Sequence, residues 1–136
     1  MTSRERDQRE MAHPPLPPRR SHASAKAAGT RFERAVADYL ATHVSEFIDR
    51  RVKTGATDKG DIVNVRTHGQ RVVLECKDVT RLSLGQWITE ADTERGNDDA
   101  LVGAVIHKRR GTTDPGDQYV TCTLRDLVAL LTGTRP

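Results

Sequence analysis

Apolar positions recur along this chain with two spacings, and the helical spacing predicts three helices. The first covers 26–44, where five apolar side chains recur every three or four residues: Phe32, Val36, Tyr39, Leu40 and Val44. The second covers 84–95 and opens with a capping box formed by Ser83 and Gln86. The third covers 124–132, is capped by Thr123, and is expected to turn three side chains inward: Leu127, Leu130 and Leu131.

Shorter apolar runs between these helices predict five strands. They cover 46–54, 61–65, 70–78, 100–107 and 118–123. The second and third form a hairpin across 66–69, and the apolar run 100–107 is expected to lie centrally in the sheet. The order α-β-β-β-α-β-β-α therefore predicts an α/β protein with a mixed central β-sheet flanked by helices.

The N-terminal segment differs in composition from the rest. Residues 1–25 are rich in proline and arginine and predict a disordered tail in front of one domain, 26–136. The net charge is +3, but residues 1–34 carry eight Lys or Arg against four Asp or Glu, so the remainder sums to about −1. A uniformly basic body is thereby excluded, and DNA binding would depend on local arginine clusters.

Other features limit the class of protein. No apolar run is long enough to cross a bilayer, and the polar start does not resemble a secretory signal. Cys76 and Cys122 lack the spacing of a zinc site and are expected to be reduced and buried. We therefore expect an intracellular, cytoplasmic protein without a membrane segment.

The strand 70–78 carries an acid and a base inside an apolar run, Glu75-Cys76-Lys77. Side chains two positions apart on a strand point the same way, so Glu75 and Lys77 share one face. Burying such charges is costly without compensation. A metal ion held by Glu75, by Asp61 on the neighbouring strand and by the Cys76 carbonyl would compensate. Without metal, at least one of the clustered carboxyls should have a raised pKa.

Gly60-Asp61, a hairpin and then Glu75-Cys76-Lys77 resemble the signature of the PD-(D/E)xK nuclease superfamily. The helix carrying Arg31-Phe32-Glu33-Arg34 resembles the branch of archaeal-type Holliday-junction resolvases. The resemblance implies a restriction-endonuclease-like fold and four catalytic residues, Glu33, Asp61, Glu75 and Lys77. It also implies that Mg²⁺, or Mn²⁺ in its place, is held by Asp61, Glu75, the Cys76 carbonyl and Glu33.

The resemblance also implies residues that assist catalysis, and this chain differs from the family pattern at two places. A hydroxyl side chain in the loop before Asp61 is expected to assist, either Thr54 or Thr57, and Gln86 is a further candidate. Gly60 stands where the superfamily often has proline, and the loop 55–59 is less basic than a junction-gripping loop should be. Candidate DNA contacts are Arg31, Arg34, Arg50, Arg51, Lys53, Arg81, Lys108, Arg109 and Arg110.

The expected function is a Mg²⁺-dependent, structure-selective endonuclease that resolves four-way DNA junctions by paired nicks. A four-way junction has two-fold symmetry, so paired nicks need two active sites and imply a homodimer on branched DNA. Two alternatives remain open. One is a restriction- or repair-type endonuclease with the same catalytic residues, and the other is a non-catalytic DNA-binding protein on the same fold.

Overall fold

The computed structural model describes residues 21–52 and 60–136, and in these ranges the chain is mixed α/β. Residues 1–20 of the predicted tail lie outside the described residues. Three candidate site residues also lie outside them: Lys53, Thr54 and Thr57. The described residues form three α-helices: α1 His22–His43, α2 Leu84–Asn97 and α3 Leu124–Thr132. Six strands accompany them: β1 Asp49–Arg50, β2 Ile62–Val63, β3 Arg66–Thr67, β4 Gln70–Lys77, β5 Val102–His107 and β6 Tyr119–Thr121.

The main sheet has four strands in the order β3-β4-β5-β6. Strands β4 and β5 are parallel and are connected through α2, whereas the β3–β4 and β5–β6 pairs are antiparallel. Strands β1 and β2 form a separate antiparallel pair. The predicted mixed sheet is therefore confirmed, and so is the central position of β5, whose six residues are all buried.

The predicted hairpin is present but is broken at Asn64. This residue adopts φ 67°, which ends β2 after Val63, and its side-chain amide donates to the Phe47 carbonyl at 2.7 Å. The turn between β3 and β4 is tight, because His68 and Gly69 both have positive φ (50° and 73°), as a type I′ hairpin requires.

Helices cover both faces of the sheet. On one face, alternate residues of β4 and β5 pack with α1 and α3 in the main core, including Leu74, Ile106, Phe32, Val36 and Ala129. On the other face, Val105 packs against Trp87 and Ala91 of α2. The interleaving residues of β4 on that second face are Val73, Glu75 and Lys77, so the face under α2 is where the predicted chemistry lies.

Two predicted boundaries were wrong. Helix α1 begins at His22 rather than residue 26, because the Ser21 hydroxyl caps it by accepting from the Ser24 amide at 3.1 Å. Residues 22–25 therefore belong to the helix and not to a tail. Of the strand predicted over 46–54, the described part, 46–52, forms only β1, because its partner β2 is two residues long, and residues 53 and 54 lie outside the described ranges.

The ends and faces of the other helices required two corrections. Ser83 precedes α2 but makes no side-chain capping bond, and Gln86 donates to Glu90 instead. In α3, the Thr123 cap is confirmed, but the predicted inner face is wrong. Asp126 and Ala129 are buried, while Leu127, Leu130 and Leu131 are exposed by 41%, 40% and 70%. The helix turns this way because the buried Asp126 finds three hydrogen-bond donors: the hydroxyl of Thr123, the amide of Gly103 and the guanidinium of Arg135.

Candidate functional site

Asp61 is attached to strand β4 by two hydrogen bonds. Its amide donates to the Leu74 carbonyl at 3.0 Å, and its Oδ2 accepts from the Cys76 amide at 2.8 Å. Asp61 and Glu75 are both buried, with 2% and 5% of their surface exposed. The structure therefore brings together the two carboxyls that the sequence predicted would converge. It places the Cys76 amide at Asp61, while metal binding by the Cys76 carbonyl stays a prediction.

Gly60 holds the backbone in a conformation that proline cannot adopt. Its φ is +95°, and a Cβ at this position would lie 3.0 Å from Val73 Cγ1 and 3.3 Å from the Leu74 carbonyl oxygen. Proline fixes φ near −65°. The departure from the superfamily pattern at Gly60 is thus a structural requirement of this chain, since Asp61 follows directly from that turn.

Glu75 carries the largest electrostatic perturbation at the site. Burial, and after it hydrogen bonding to and repulsion by the neighbouring carboxyls of Glu94 and Asp61, together raise the pKa of Glu75 to about 11. Oε1 of Glu75 is buried without a hydrogen-bond partner. The expectation that one clustered carboxyl would have a raised pKa is confirmed, and Glu75 is protonated at neutral pH without metal.

Glu94 on α2 is the site residue that the sequence analysis missed. It is only 7% exposed and its carboxyl faces Glu75 across the gap between helix and sheet. A signal was present in the sequence, because Trp87, Ala91 and Glu94 follow the i, i+4, i+7 spacing of one helix face and all three are buried. An acid on an otherwise apolar helix face indicates a buried partner.

Lys77 lies beside this cluster and is held by α2. Its Nζ donates to Glu90 Oε2 at 2.9 Å, and Glu90 Oε1 accepts from Gln86 at 3.1 Å. Burial opposes the charged form of Lys77, but the hydrogen bond to Glu90 and the charges of Glu90, Glu75 and Asp61 outweigh it, so the pKa of Lys77 is raised. Lys77 is therefore a cation at neutral pH.

Glu33 does not join the cluster. Its Oε2 accepts from Arg50 Nε at 2.7 Å, which joins α1 to β1, and the carboxyls that perturb the pKa of Glu75 are Glu94 and Asp61. The ion pair with Arg50 compensates the partial burial of Glu33, whose side chain is 14% exposed. In this structure Glu33 thus pairs with Arg50, and its part in a metal site stays a prediction.

The described candidate DNA contacts fall into three groups. Arg34 and Arg50 are paired with carboxylates, Lys108 donates to the Thr112 carbonyl, and Arg110 donates to the Thr80 carbonyl. Arg31, Arg81 and Arg109 are exposed and have no side-chain hydrogen bond or ion pair to a described residue, although Arg109 lies over the Tyr119 ring at 5.6 Å. Arg51 is partly buried and lines a cleft.

His107 on strand β5 is the neighbour of Lys77 on strand β4. The two residues are in register on the parallel strands, and His107 Nε2 lies 2.8 Å from the Thr121 hydroxyl. Its ring stands between those of Trp87 and Tyr119, with centroids 5.6 and 5.5 Å away. Burial lowers the pKa of His107, so it adds no charge at neutral pH.

The carboxyl oxygens of this cluster are suited to bind a hard cation. In this structure, however, the carboxyls are arranged as they are when Glu75 is protonated. Carboxylate oxygens are the ligands that Mg²⁺ prefers, and Glu75 Oε1 lacks any other partner. Within 21–52 and 60–136, no three His, Cys, Asp or Glu side chains are arranged to hold a metal ion. Glu75 must lose its proton before these carboxyls can act together as ligands.

Comparisons with protein-family models, with curated proteins and with solved structures found no match to this chain. In the part of the chain that the structure describes, no helix is both long and apolar enough to cross a membrane. What the fold and site define is thus a mixed α/β protein with a buried carboxyl cluster and an adjoining lysine on one face of its sheet.

Proposed function

We propose that this protein is a metal-dependent DNA endonuclease of the PD-(D/E)xK type, with a restriction-endonuclease-like fold. The observation that carries the proposal is the convergence of Asp61, Glu75 and Lys77 under helix α2. Two buried acids beside a lysine with a raised pKa are an expensive arrangement for a purely structural role. The free-energy cost of burying these groups would be offset if the site binds a cation and a phosphate.

The residues have separate roles in this proposal. Asp61 and Glu75, with Glu94 as a third carboxyl, would hold Mg²⁺, which supplies an activated water and relieves charge at the phosphorus when bound. Lys77 remains protonated and stabilises the negative charge that develops on the phosphate. Glu90 and Gln86 orient Lys77 and do not touch the substrate. The Glu33–Arg50 pair supports the connection between α1 and β1.

Branched DNA, in particular the four-way junction, is the substrate class that we propose. Substrate choice would rest on backbone contacts and on DNA shape. Paired nicks would require a homodimer. The exposed leucines of α3 offer an apolar surface through which two copies can associate.

The test compares nicking of a synthetic four-way junction with cleavage of a linear duplex of the same sequence, in Mg²⁺ and in EDTA. Wild type is run beside Lys77→Ala, Asp61→Asn and the control Glu46→Gln, an exposed acid far along the chain from the cluster. We expect paired, Mg²⁺-dependent nicks on the junction, lost in the first two variants and kept in the control. Asp61→Asn should bind DNA as tightly as wild type or more tightly, because a negative charge near phosphate is removed.

Other results would change the assignment. Equal cutting of junction and duplex would identify a restriction- or repair-type enzyme with the same catalytic residues. Binding without cutting in Mg²⁺ or Mn²⁺ would identify a non-catalytic DNA-binding protein. Parallel loss of binding and cleavage in Asp61→Asn, with an unchanged melting temperature, would contradict a purely catalytic role for Asp61.

A further inference from the structure

A cleft of about 260 Å³ lies at the beginning of β4. Its walls are formed by residues 62–65 together with the first residues of β4. Three arginines line it, Arg51, Arg66 and Arg71, and the only acid among its described lining residues is Asp98. Three positive charges facing one small space repel each other unless an anion lies between them.

The guanidinium groups of these arginines have few partners. Arg51 Nε is buried and makes no hydrogen bond. Arg66 and Arg71 donate only to backbone carbonyls in the described chain, those of Gly69 at 3.4 Å and Asp98 at 3.0 Å. None of the three forms an ion pair with a carboxylate of the described residues. A buried donor without an acceptor is costly, so the cleft is better suited to an occupant with several acceptor oxygens.

A phosphate group fits this chemistry best. Its oxygens accept the paired N–H groups of a guanidinium, and arginine is favoured for this geometry over lysine. The cleft also adjoins the proposed active site, because the Arg51 amide donates to the Asp61 carbonyl at 2.7 Å. An anion held by Arg51 would therefore lie next to the backbone that aims the Asp61 carboxylate.

The distance along β4 indicates where that phosphate comes from. Arg71 and Glu75 lie four residues apart on one face of the strand, a separation of about 13 Å. The axial rise per phosphate on one DNA strand is about 3.4 Å, so this corresponds to about four base pairs. A strand whose phosphate lies at Glu75 and Lys77 would bring another phosphate to the arginines.

We propose that the cleft of Arg51, Arg66 and Arg71 binds a backbone phosphate of the DNA, a few nucleotides from the phosphate at the carboxyl cluster. The phosphate chemistry follows from the cleft alone, and its assignment to DNA rests on the proposed function. The cleft acts as an anchor: it sets the position of the strand along β4 and contributes affinity without reading sequence.

The experiment measures binding of the full-length protein to a labelled duplex in EDTA, over a range of salt concentrations. The variants are Arg66→Gln, the double variant Arg51→Gln/Arg66→Gln, and the control Arg125→Gln, an exposed arginine on α3. We expect the double variant to bind at least about tenfold more weakly at low salt. Its slope of log K against log salt should be smaller by about 1, the loss expected for one phosphate contact. The control should change neither quantity.

Two further probes separate the sources of phosphate. Inorganic phosphate and a short single-stranded oligonucleotide are each titrated into wild type and the double variant. Arginine-dependent binding of the oligonucleotide supports the proposal. Binding of inorganic phosphate without any arginine-dependent binding of DNA would overturn it in favour of a small-anion site.

Melting temperatures show whether each variant is folded. Arg66→Gln is the variant that should disturb the fold least, because Arg66 is exposed. Wild-type affinity and salt slope in a folded double variant would overturn the proposal. The proposed function fails differently: arginine-dependent DNA binding with no cleavage in Mg²⁺ or Mn²⁺ would leave the phosphate cleft standing and remove the nuclease.

Discussion

Lys77 Nζ lies 2.9 Å from Glu90 Oε2, so the lysine of the Glu-x-Lys strand is held by a carboxylate from helix α2. The two side chains are 24% and 39% exposed, so the pair is only partly shielded from solvent. The pair fixes both the direction and the charge of Lys77, since Glu90 is the main contributor that raises its pKa against burial. The strand thus supplies the lysine, and the helix determines its state.

Glu90→Gln is expected to weaken catalysis without weakening DNA binding. Loss of the carboxylate lowers the pKa of Lys77 and frees its ammonium, which we expect to reduce kcat about tenfold, the equivalent of about 1.4 kcal/mol. KM should stay close to wild type, and the alkaline limb of the pH–rate profile should move to lower pH. Glu46→Gln serves as the matched control, and an unchanged profile would show that Glu90 does not act through Lys77.

Glu75→Gln is expected to stabilise the metal-free protein, increasingly so at higher pH. The pKa of Glu75 is about 11 in the folded protein and near 4.5 when unfolded, so the folded state favours the protonated form. The stabilisation from that proton is complete below the unfolded pKa and is lost as pH rises towards the folded pKa, by about 1.4 kcal/mol per unit. Glutamine remains neutral and avoids this loss.

Urea unfolding in EDTA at pH 6 and pH 8 measures the effect of Glu75→Gln. The variant should have a higher free energy of unfolding than wild type. This difference should be about 1–3 kcal/mol larger at pH 8 than at pH 6. For Glu46→Gln, the difference in free energy of unfolding from wild type should be the same at pH 6 and pH 8. A difference that does not depend on pH would mean that Glu75 is ionised in the folded, metal-free protein.

Gly103→Ala is expected to destabilise the protein by separating α2 from the sheet. A Cβ at Gly103 would lie 2.9 Å from the Ala91 carbonyl oxygen and 3.3 Å from Arg95 Cβ, so the helix would have to move. Overpacking of this kind costs about 1–3 kcal/mol, and it would also shift Glu94 away from Glu75. Gly96→Ala is the control, because nothing lies within 4 Å of that position and alanine favours a helix by about 0.5–1 kcal/mol. Thermal unfolding should move in opposite directions for the two variants, and equal shifts would contradict the close approach at Gly103.

Asp126→Asn is expected to lower stability by about 3 kcal/mol, because Asp126 is the closer and more buried counter-charge of the partly buried Arg135, whose other ion pair, to Asp92, is longer at 3.4 Å. Asp126 Oδ1 accepts from Arg135 Nη1 at 2.6 Å and from the Gly103 amide at 3.2 Å. Burial opposes ionisation of Asp126, but its hydrogen bonds to Thr123, Arg135 and Gly103 outweigh it and lower its pKa. This contribution to stability is present above the unfolded pKa and is lost as pH falls through the folded pKa.

Chemical denaturation at neutral pH measures the loss in Asp126→Asn, with the exposed Asp117→Asn as its control. A loss below about 1 kcal/mol in Asp126→Asn would mean that the pair with Arg135 contributes no more than a surface salt bridge.

The exposed face of α3 gives a prediction about association. Leu127→Gln/Leu131→Gln should shift the proposed homodimer to monomer, since these side chains are 41% and 70% exposed in the single chain. Leu82→Gln, at 67% exposure elsewhere on the surface, is the matched control and should not change the mass. Sedimentation equilibrium measures the mass of each variant. A wild type that is monomeric at all concentrations would contradict the homodimer, and a dimeric double variant would exclude this face as the interface.

Local pattern was sufficient for much of the fold. The helix over 124–132, the central strand ending at His107 and the Glu75–Lys77 face were all predicted, because each depends on the spacing of neighbouring residues along one backbone. Strand β1 and the inner face of α3 were predicted wrongly. Their outcome depends on a partner elsewhere in the chain: the short β2 in one case, and Arg135 in the other.

The sequence by itself determined that Asp61, Glu75 and Lys77 would be candidate site residues and that the last two would share a face. Only the tertiary structure decided that Glu94 and Glu90 join them, that Glu33 pairs with Arg50, and that three arginines face one cleft. The physical reason is that side-chain direction follows from local backbone geometry, whereas the partners of a charge depend on how distant elements pack. The pKa of Glu75 belongs to the second kind, because burial and acids from other elements raise it.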